Sequence, residues 1–362
     1  MIPTLVPPPV ERSLDEVLAA IADGAAERDR DPGGAFPFDA ILALADAGAT
    51  QATAGPAPIS YADELALLRA VARADMGVAR ILDGHLNAVE RLRVQAPPAL
   101  RDEELAAIAA GARSAGVWGA DPIPGEGEPA RVAGRELWGT KTFCSGAGGL
   151  HRALVLARTD DAETPPVAAW VDLTATGTVD IDRTWFRGAG MRSSASHRVT
   201  FSGTPVLAIL GPPGALLVQP WFARDAVRTA ATWVGAADAA VEDALDHLAA
   251  RPRAGELETL AAGRLRTWQD TMSLWLRAAA DALDAGGGDA RRAGEVAARA
   301  RTAIADAARA ILDEAERATG SRPAAAGSVL DRAARDLRLF LLQHRLEPIL
   351  ARAGAAVLEA RR

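Results

Sequence analysis

The chain has 362 residues, of which 49% are hydrophobic and 24% charged, and carries a net charge of −7. That length exceeds what one compact core holds, so two or three domains are expected. The acidic balance, with no basic stripe, argues against nucleic acid, and no apolar run reaches the roughly 18–20 residues that a membrane span needs.

Cys144 is the only cysteine, which excludes an internal disulfide and a cysteine-rich metal site and fits a reducing cytoplasm. The five histidines, at 85, 151, 197, 247 and 344, share no metal-ligand spacing, so no metal is expected. The first residues lack a basic n-region and an apolar h-region, so no signal peptide is expected.

Pro7-Pro8-Pro9 is an extended leader. Ser13, with Glu16 three residues on, is a capping-box pattern that starts a helix, and Asp31-Pro32-Gly33-Gly34 ends it. Residues 38–47 and 61–82 read as amphipathic helices, apolar at three- and four-residue spacing. Pro97-Pro98 punctuates, and a further helix is expected over 102–115. The texture then changes. Residues 136–145, 153–158, 167–173, 178–182 and 199–202 are short β-branched and aromatic runs between Gly, Pro, Asp and Thr turns, the rhythm of a small barrel or sandwich.

Gly211-Pro212-Pro213-Gly214 closes that module. Helices are expected over 220–250, 257–285, 294–319 and 328–361, turning at Gly286-Gly287-Gly288 and Gly320-Ser321-Arg322-Pro323, as an antiparallel four-helix bundle. The reading is a multidomain α+β chain. It has an N-terminal all-α domain (1–115), a central β-barrel or sandwich (116–212) and a C-terminal four-helix bundle (213–362).

Several motifs stand at the joints of this plan. They are Val117-Trp118-Gly119-Ala120-Asp121-Pro122, Thr142-Phe143-Cys144-Ser145-Gly146, Gly190-Met191-Arg192-Ser193-Ser194, Arg251-Pro252-Arg253-Ala254-Gly255, Gly320-Ser321 and Arg332 with Arg335-Asp336. In this domain order they resemble the acyl-CoA dehydrogenase superfamily, which also contains flavin-dependent monooxygenases. The resemblance runs from Phe36 onward and implies FAD. By it, Phe143 stacks on the flavin and Ser145 donates toward N5, where arriving hydride leaves negative charge. Trp118 either shields the ring or fills core. Arg192 meets a phosphate or a structural carboxylate, and Ser194 approaches cofactor or substrate. Arg251 either reaches the FAD pyrophosphate of a neighbouring subunit or satisfies its own helix end, and Gly320 lies near the same pyrophosphate. Arg335 and Asp336 are expected to form a packing ion pair, and Cys144 to be inert packing inside the barrel.

The chain also departs from the family. Ala120 stands where a hydroxyl is usual, Ala254 replaces a Phe and Ala262 a Gln. The usual catalytic Glu, eight residues after Asp336, is His344. Proton chemistry then falls to His344 or to Asp225 on the first bundle helix. His85 stands where some family monooxygenases place a substrate-side histidine. The implied reaction is α,β-desaturation of an acyl thioester, with hydride passing to flavin N5 and electrons to an electron-transfer flavoprotein or another acceptor. Two alternatives stay open. One is a two-component flavin monooxygenase, to which His85 and His344 point; the other is a non-catalytic homologue, to which the missing Glu and Gln point. A cytoplasmic homodimer or homotetramer acting on a small molecule is expected.

Overall fold

Ser13 opens the first helix as its sequence predicts. Its hydroxyl accepts the Glu16 amide at 3.3 Å and the Glu16 carboxylate accepts the Ser13 amide at 2.9 Å, closing the capping box. The computed structural model describes residues 12–161, 163–284, 290–323, 325, 327–343 and 345–362.

Among the described residues five helices come first: α1 (Leu14–Arg30), α2 (Phe38–Asp46), α3 (Tyr61–Ala74), α4 (Met76–Gln95) and α5 (Pro98–Ala109). The single helix expected over 61–82 is two, because Asp75 leaves the helical region at φ −157° and its Oδ1 accepts the amides of Gly77 and Val78 at 3.0 and 3.2 Å. The same carboxylate accepts the Ser193 hydroxyl at 2.6 Å and Arg28 Nε at 3.0 Å. The fifth helix starts earlier than expected, with Pro98 in its first turn, where a missing N–H costs nothing.

Seven strands follow among the described residues: β1 (Ala115–Trp118), β2 (Arg131–Ala133), β3 (Glu136–Cys144), β4 (Arg152–Ala157), β5 (Val167–Asp172), β6 (Val179–Asp182) and β7 (His197–Ile209). They form one sheet in the order β1-β4-β5-β7-β3-β2, with β6 also on β7. Only the β1–β4 pairing is parallel. The thirteen residues of β7 make it the spine, its first half pairing with β3 and β6 and its second with β5.

The chain then returns to helices: α6 (Trp221–Ala249), α7 (Glu256–Asp284), α8 (Ala290–Thr319), α9 (Val329–Phe340) and α10 (Glu347–Glu359). The helix expected over 328–361 is two, α9 and α10, and Pro348 stands in the first turn of α10, where its missing N–H costs nothing. The bundle is therefore α6 to α9, while α10 buries none of its residues. At its centre α6 packs against α3, α4, α7, α8 and α9. Among the described residues no helix is long and apolar enough to cross a membrane, and no group of three His, Cys, Asp or Glu is placed to hold a metal ion.

Candidate functional site

A cavity of about 590 Å³ lies where the sheet meets the helices. One wall comes from the β-structure: Gly119 and Ala120 after β1, Phe143 and Ser145 at the end of β3, and Ser194 and Ser196 before β7. The opposite wall is helical, with Arg80 and Asn87 of α4, Asp225 and Thr229 of α6, Arg301 of α8 and Phe340 of α9.

The sheet wall presents hydroxyls on a strained frame. The β3–β7 register slips between Lys141 and Cys144, and within the slip Phe143 takes φ +52°. A bulky residue rarely adopts that left-handed geometry and persists there only where its surroundings enforce it. The Phe143 ring is 55% exposed and meets Trp185 edge-on, with centroids 4.9 Å apart. Beyond it the hydroxyls of Ser145, Ser196 and Ser194 form a chain at 2.9 and 2.8 Å. Ser194 donates onward to the Met191 carbonyl at 2.6 Å. With all bonds made, Ser196 donates to Ser194 and Ser145 to Ser196, so Ser145 offers lone pairs. Rotating the Ser196 hydroxyl toward Ser145 frees the Ser145 proton for the cavity.

Two buried side chains hold this wall in place. Lys141, the only lysine of the chain, donates to the Gly119 carbonyl at 3.1 Å and to Asp121 Oδ1 at 2.7 Å, fixing the turn after β1. Trp118 is core: its indole N–H donates to the Ser145 carbonyl at 2.9 Å, and its neighbours Val117 and Gly119 reach the cavity instead. Cys144 is fully buried as expected, and burial pushes its thiol well above the ordinary range.

The helical wall carries the charges. Asp225 pairs with Arg91, which is itself buried, and stands 3.5 Å from Arg228 Nη1. Its Oδ1 has no hydrogen-bond partner. Burial pushes the Asp225 pKa up to about 6, against the pull of Arg91 and Arg228. Arg228 is anchored by Glu64 at 2.7 Å and Glu90 at 2.9 Å, so the charges behind Asp225 are fixed.

The other residues that the sequence singles out stand elsewhere. His85 donates or accepts at neither wall. Its Nδ1 accepts the Ala115 amide at 3.1 Å and its Nε2 stands 2.7 Å from the Thr50 carbonyl, so the buried ring is a neutral pin between α4 and β1. His85→Ala is expected to lower thermal stability by about 2 kcal/mol or more, because two buried backbone groups lose their partners. An unchanged melting temperature would refute that structural role. Arg192 spends its guanidinium on the carbonyls of Asp29 (3.1 Å) and Gly188 (3.4 Å). Arg251 binds Glu258 at 2.5 Å and the Ala318 carbonyl at 2.9 Å. Gly320, at φ +79°, borders a separate pocket beyond the end of α8 with Ser321 and Arg335. His344 lies outside the described residues.

Arg335 and Asp336 do not pair with each other. Arg335 holds Asp29 at 2.6 Å and Asp331 at 2.9 Å, whereas buried Asp336 accepts the Met191 amide, and burial pushes its pKa up to about 7. Their side chains project on different faces of α9, so adjacency in sequence does not bring them together.

Arg80, Ser196 and Arg301 are cavity residues that the sequence reading passes over. Arg301 alone carried a signal: it occupies the apolar stripe of α8 formed by Ala297, Ala300, Ile304 and Ala308, where a charge is out of place.

No family model and no curated protein sequence matches the chain. Solved structures match its fold. Methanesulfinate monooxygenase from Pseudomonas fluorescens superposes with a TM-score of 0.83 at 22% identity, covering 95% of each chain. FMN-bound dibenzothiophene monooxygenase from Paenibacillus sp. A11-2 gives 0.84 at 20% identity, over 95% of this chain and 96% of that one. Butyryl-CoA dehydrogenase from Megasphaera elsdenii gives 0.81 at 20% identity, over 95% of each. The chain therefore has the acyl-CoA dehydrogenase fold, as its motifs and domain order imply.

Proposed function

We propose that this chain is a flavin-dependent oxidoreductase that holds the isoalloxazine ring on the sheet side of the cavity and its substrate on the helical side. One observation carries the reading. Phe143, Ser145, Ser194 and Asp225, singled out from three separate stretches of sequence, line the same cavity. The residues fit the group. The Ser145–Ser196–Ser194 hydroxyls can turn to donate or accept, which suits a ring edge that gains charge on reduction. Gly119 and Ala120 admit a flat ligand because neither carries a bulky side chain.

When bound, the flavin supplies a two-electron acceptor. The protein's own part is proton transfer and orientation. Asp225 is the proton acceptor: it lines the cavity, its Oδ1 is unpartnered, and with a pKa of about 6 it is mostly ionised at neutral pH. Arg91 fixes its other oxygen. Dehydrogenation of an acyl thioester, with electrons leaving to an electron-transfer flavoprotein or another acceptor, is the form of this chemistry that the sequence motifs imply.

Monooxygenation is the second reading. Ala120, in place of a hydroxyl on the sheet wall, removes a side-chain contact to a thioester, and two of the structures matched above are monooxygenases. FMN in place of FAD fits the intrachain commitment of Arg251, whose guanidinium is engaged by Glu258 and the Ala318 carbonyl. Assembly as a homodimer or homotetramer is supported by Leu257, Leu260 and Trp268, all exposed along α7.

The visible spectrum of the purified chain, titrated with FMN and then FAD, tests the proposal. The expected result is saturable flavin binding with quenched flavin fluorescence; a colourless protein that binds neither would make it a non-catalytic homologue. Turnover with a dye acceptor and acyl thioester, against oxygen consumption with reduced flavin, separates the two reactions.

A further inference from the structure

Arg301 is 3% exposed, and its Nε and Nη2 have no hydrogen-bond partner. No carboxylate among the described residues lies within ion-pair distance of it. The other deeply buried arginines among the described residues each have a carboxylate partner: Arg228 has Glu64 and Glu90, Arg152 has Glu104 and Asp172, and Arg91 has Asp225. The acid whose charge acts on Arg301, Asp83, is already spent. It accepts from Arg80 at 2.5 Å, Asn87 at 3.0 Å and Thr229 at 3.1 Å. Burial draws the Arg301 pKa down to about 10, so the group is still charged at neutral pH.

An unanswered buried charge is costly, and it persists where something outside the chain supplies the counter-charge. Arg301 lines the cavity. Its guanidinium carbon stands 5.2 Å over the Trp233 ring, Trp233 meets Phe340 edge-on, and Arg80 stands 5.7 Å over Phe340. Two cations thus flank an aromatic pair at the helical end. Arg80 is neutralised by Asp83, which leaves Arg301 as the available one.

We infer that Arg301 is the anion-binding residue of this cavity, and that the substrate is an organic acid. Its acid group bonds to the Arg301 guanidinium, and its apolar body lies against Phe222, Leu339 and Phe340. This rests on the flavin-cavity reading and names the substrate class for it. A guanidinium suits a carboxylate, whose two oxygens match its planar donors.

Benzoate and its neutral isostere benzamide are the probes, titrated calorimetrically into the full-length protein with and without FMN. Benzoate is expected to bind at least about tenfold more tightly than benzamide, as a hydrogen bond to a charged group implies. Arg301→Gln is expected to abolish that preference, to keep FMN affinity, and to melt no lower than the wild type without ligand, since it removes an uncompensated charge. Equal binding of benzoate and benzamide by the wild type would overturn the inference whether or not the variant folds. So would an Arg301→Gln protein that keeps the preference. Loss of FMN binding with the anion preference intact would instead count against the flavin reading alone.

Discussion

Asp225→Asn is expected to lower kcat/KM by about 100-fold or more while changing flavin affinity by less than about twofold. The substitution is nearly isosteric, so the Asn carbonyl can still accept from Arg91; what it removes is the ability to take a proton. The wild-type pH profile carries the signature. Asp225 must be ionised to act as a base, and burial has raised its pKa to about 6, so kcat/KM should rise with pH through that value and level off above it. The acidic limb should vanish in the variant. Retention of both the rate and the limb would remove Asp225 from the chemistry and shift attention to His344. Because the change also weakens a pair with buried Arg91, thermal melts belong beside the kinetics; a stability loss with full turnover per folded molecule would mark Asp225 as structural only.

Gly190→Ala should be the most disruptive small substitution near the site. A Cβ there would lie 2.4 Å from both the carbonyl carbon and the oxygen of Arg335 and 2.6 Å from the Asp336 amide nitrogen. These are backbone atoms of α9, so no side chain can rotate away. Overpacking against an immovable helix costs about 3 kcal/mol or more, enough to lower the melting temperature by about 5 °C in a chain of this size. Met191 and Ser194, just beyond, line the cavity, so flavin affinity should fall with stability. Gly263→Ala is the control. It lies on the exposed face of α7 with nothing within 4 Å of the new atom, and should be neutral or stabilising by about 0.5–1 kcal/mol. If both variants melt alike, the close approach of the 188–192 turn to α9 is not the constraint proposed.

The order of helices and strands was legible because long apolar periodicity and short β-branched runs are local properties of the chain. The breaks were not. Asp75 looks in sequence like one more helix carboxylate; only its two amide partners and the turn above it make it a terminus. β1 and β2 are four and three residues long, too short to show a period. The site divides the same way. Phe143, Ser145 and Ser194 sit in motifs at strand ends, which face the helices whatever else happens. His85, Arg192 and Arg251 carry the same chemistry in sequence, but their partners are the carbonyls of Thr50, Asp29 and Ala318, and a carbonyl has no sequence signature. For Arg301 the informative fact is a missing partner, which only packing can reveal.

Asp75 gives the chamber an ancestry outside itself. One carboxylate terminates a helix, clamps Arg28 of the first helix and tethers Ser193, whose neighbour contributes a hydroxyl to the cavity wall. The spacing of those hydroxyls is thus inherited from the docking of the amino-terminal helices onto the sheet. Wear at that remote joint, with every contacting side chain left untouched, would be read at the ligand as altered fit.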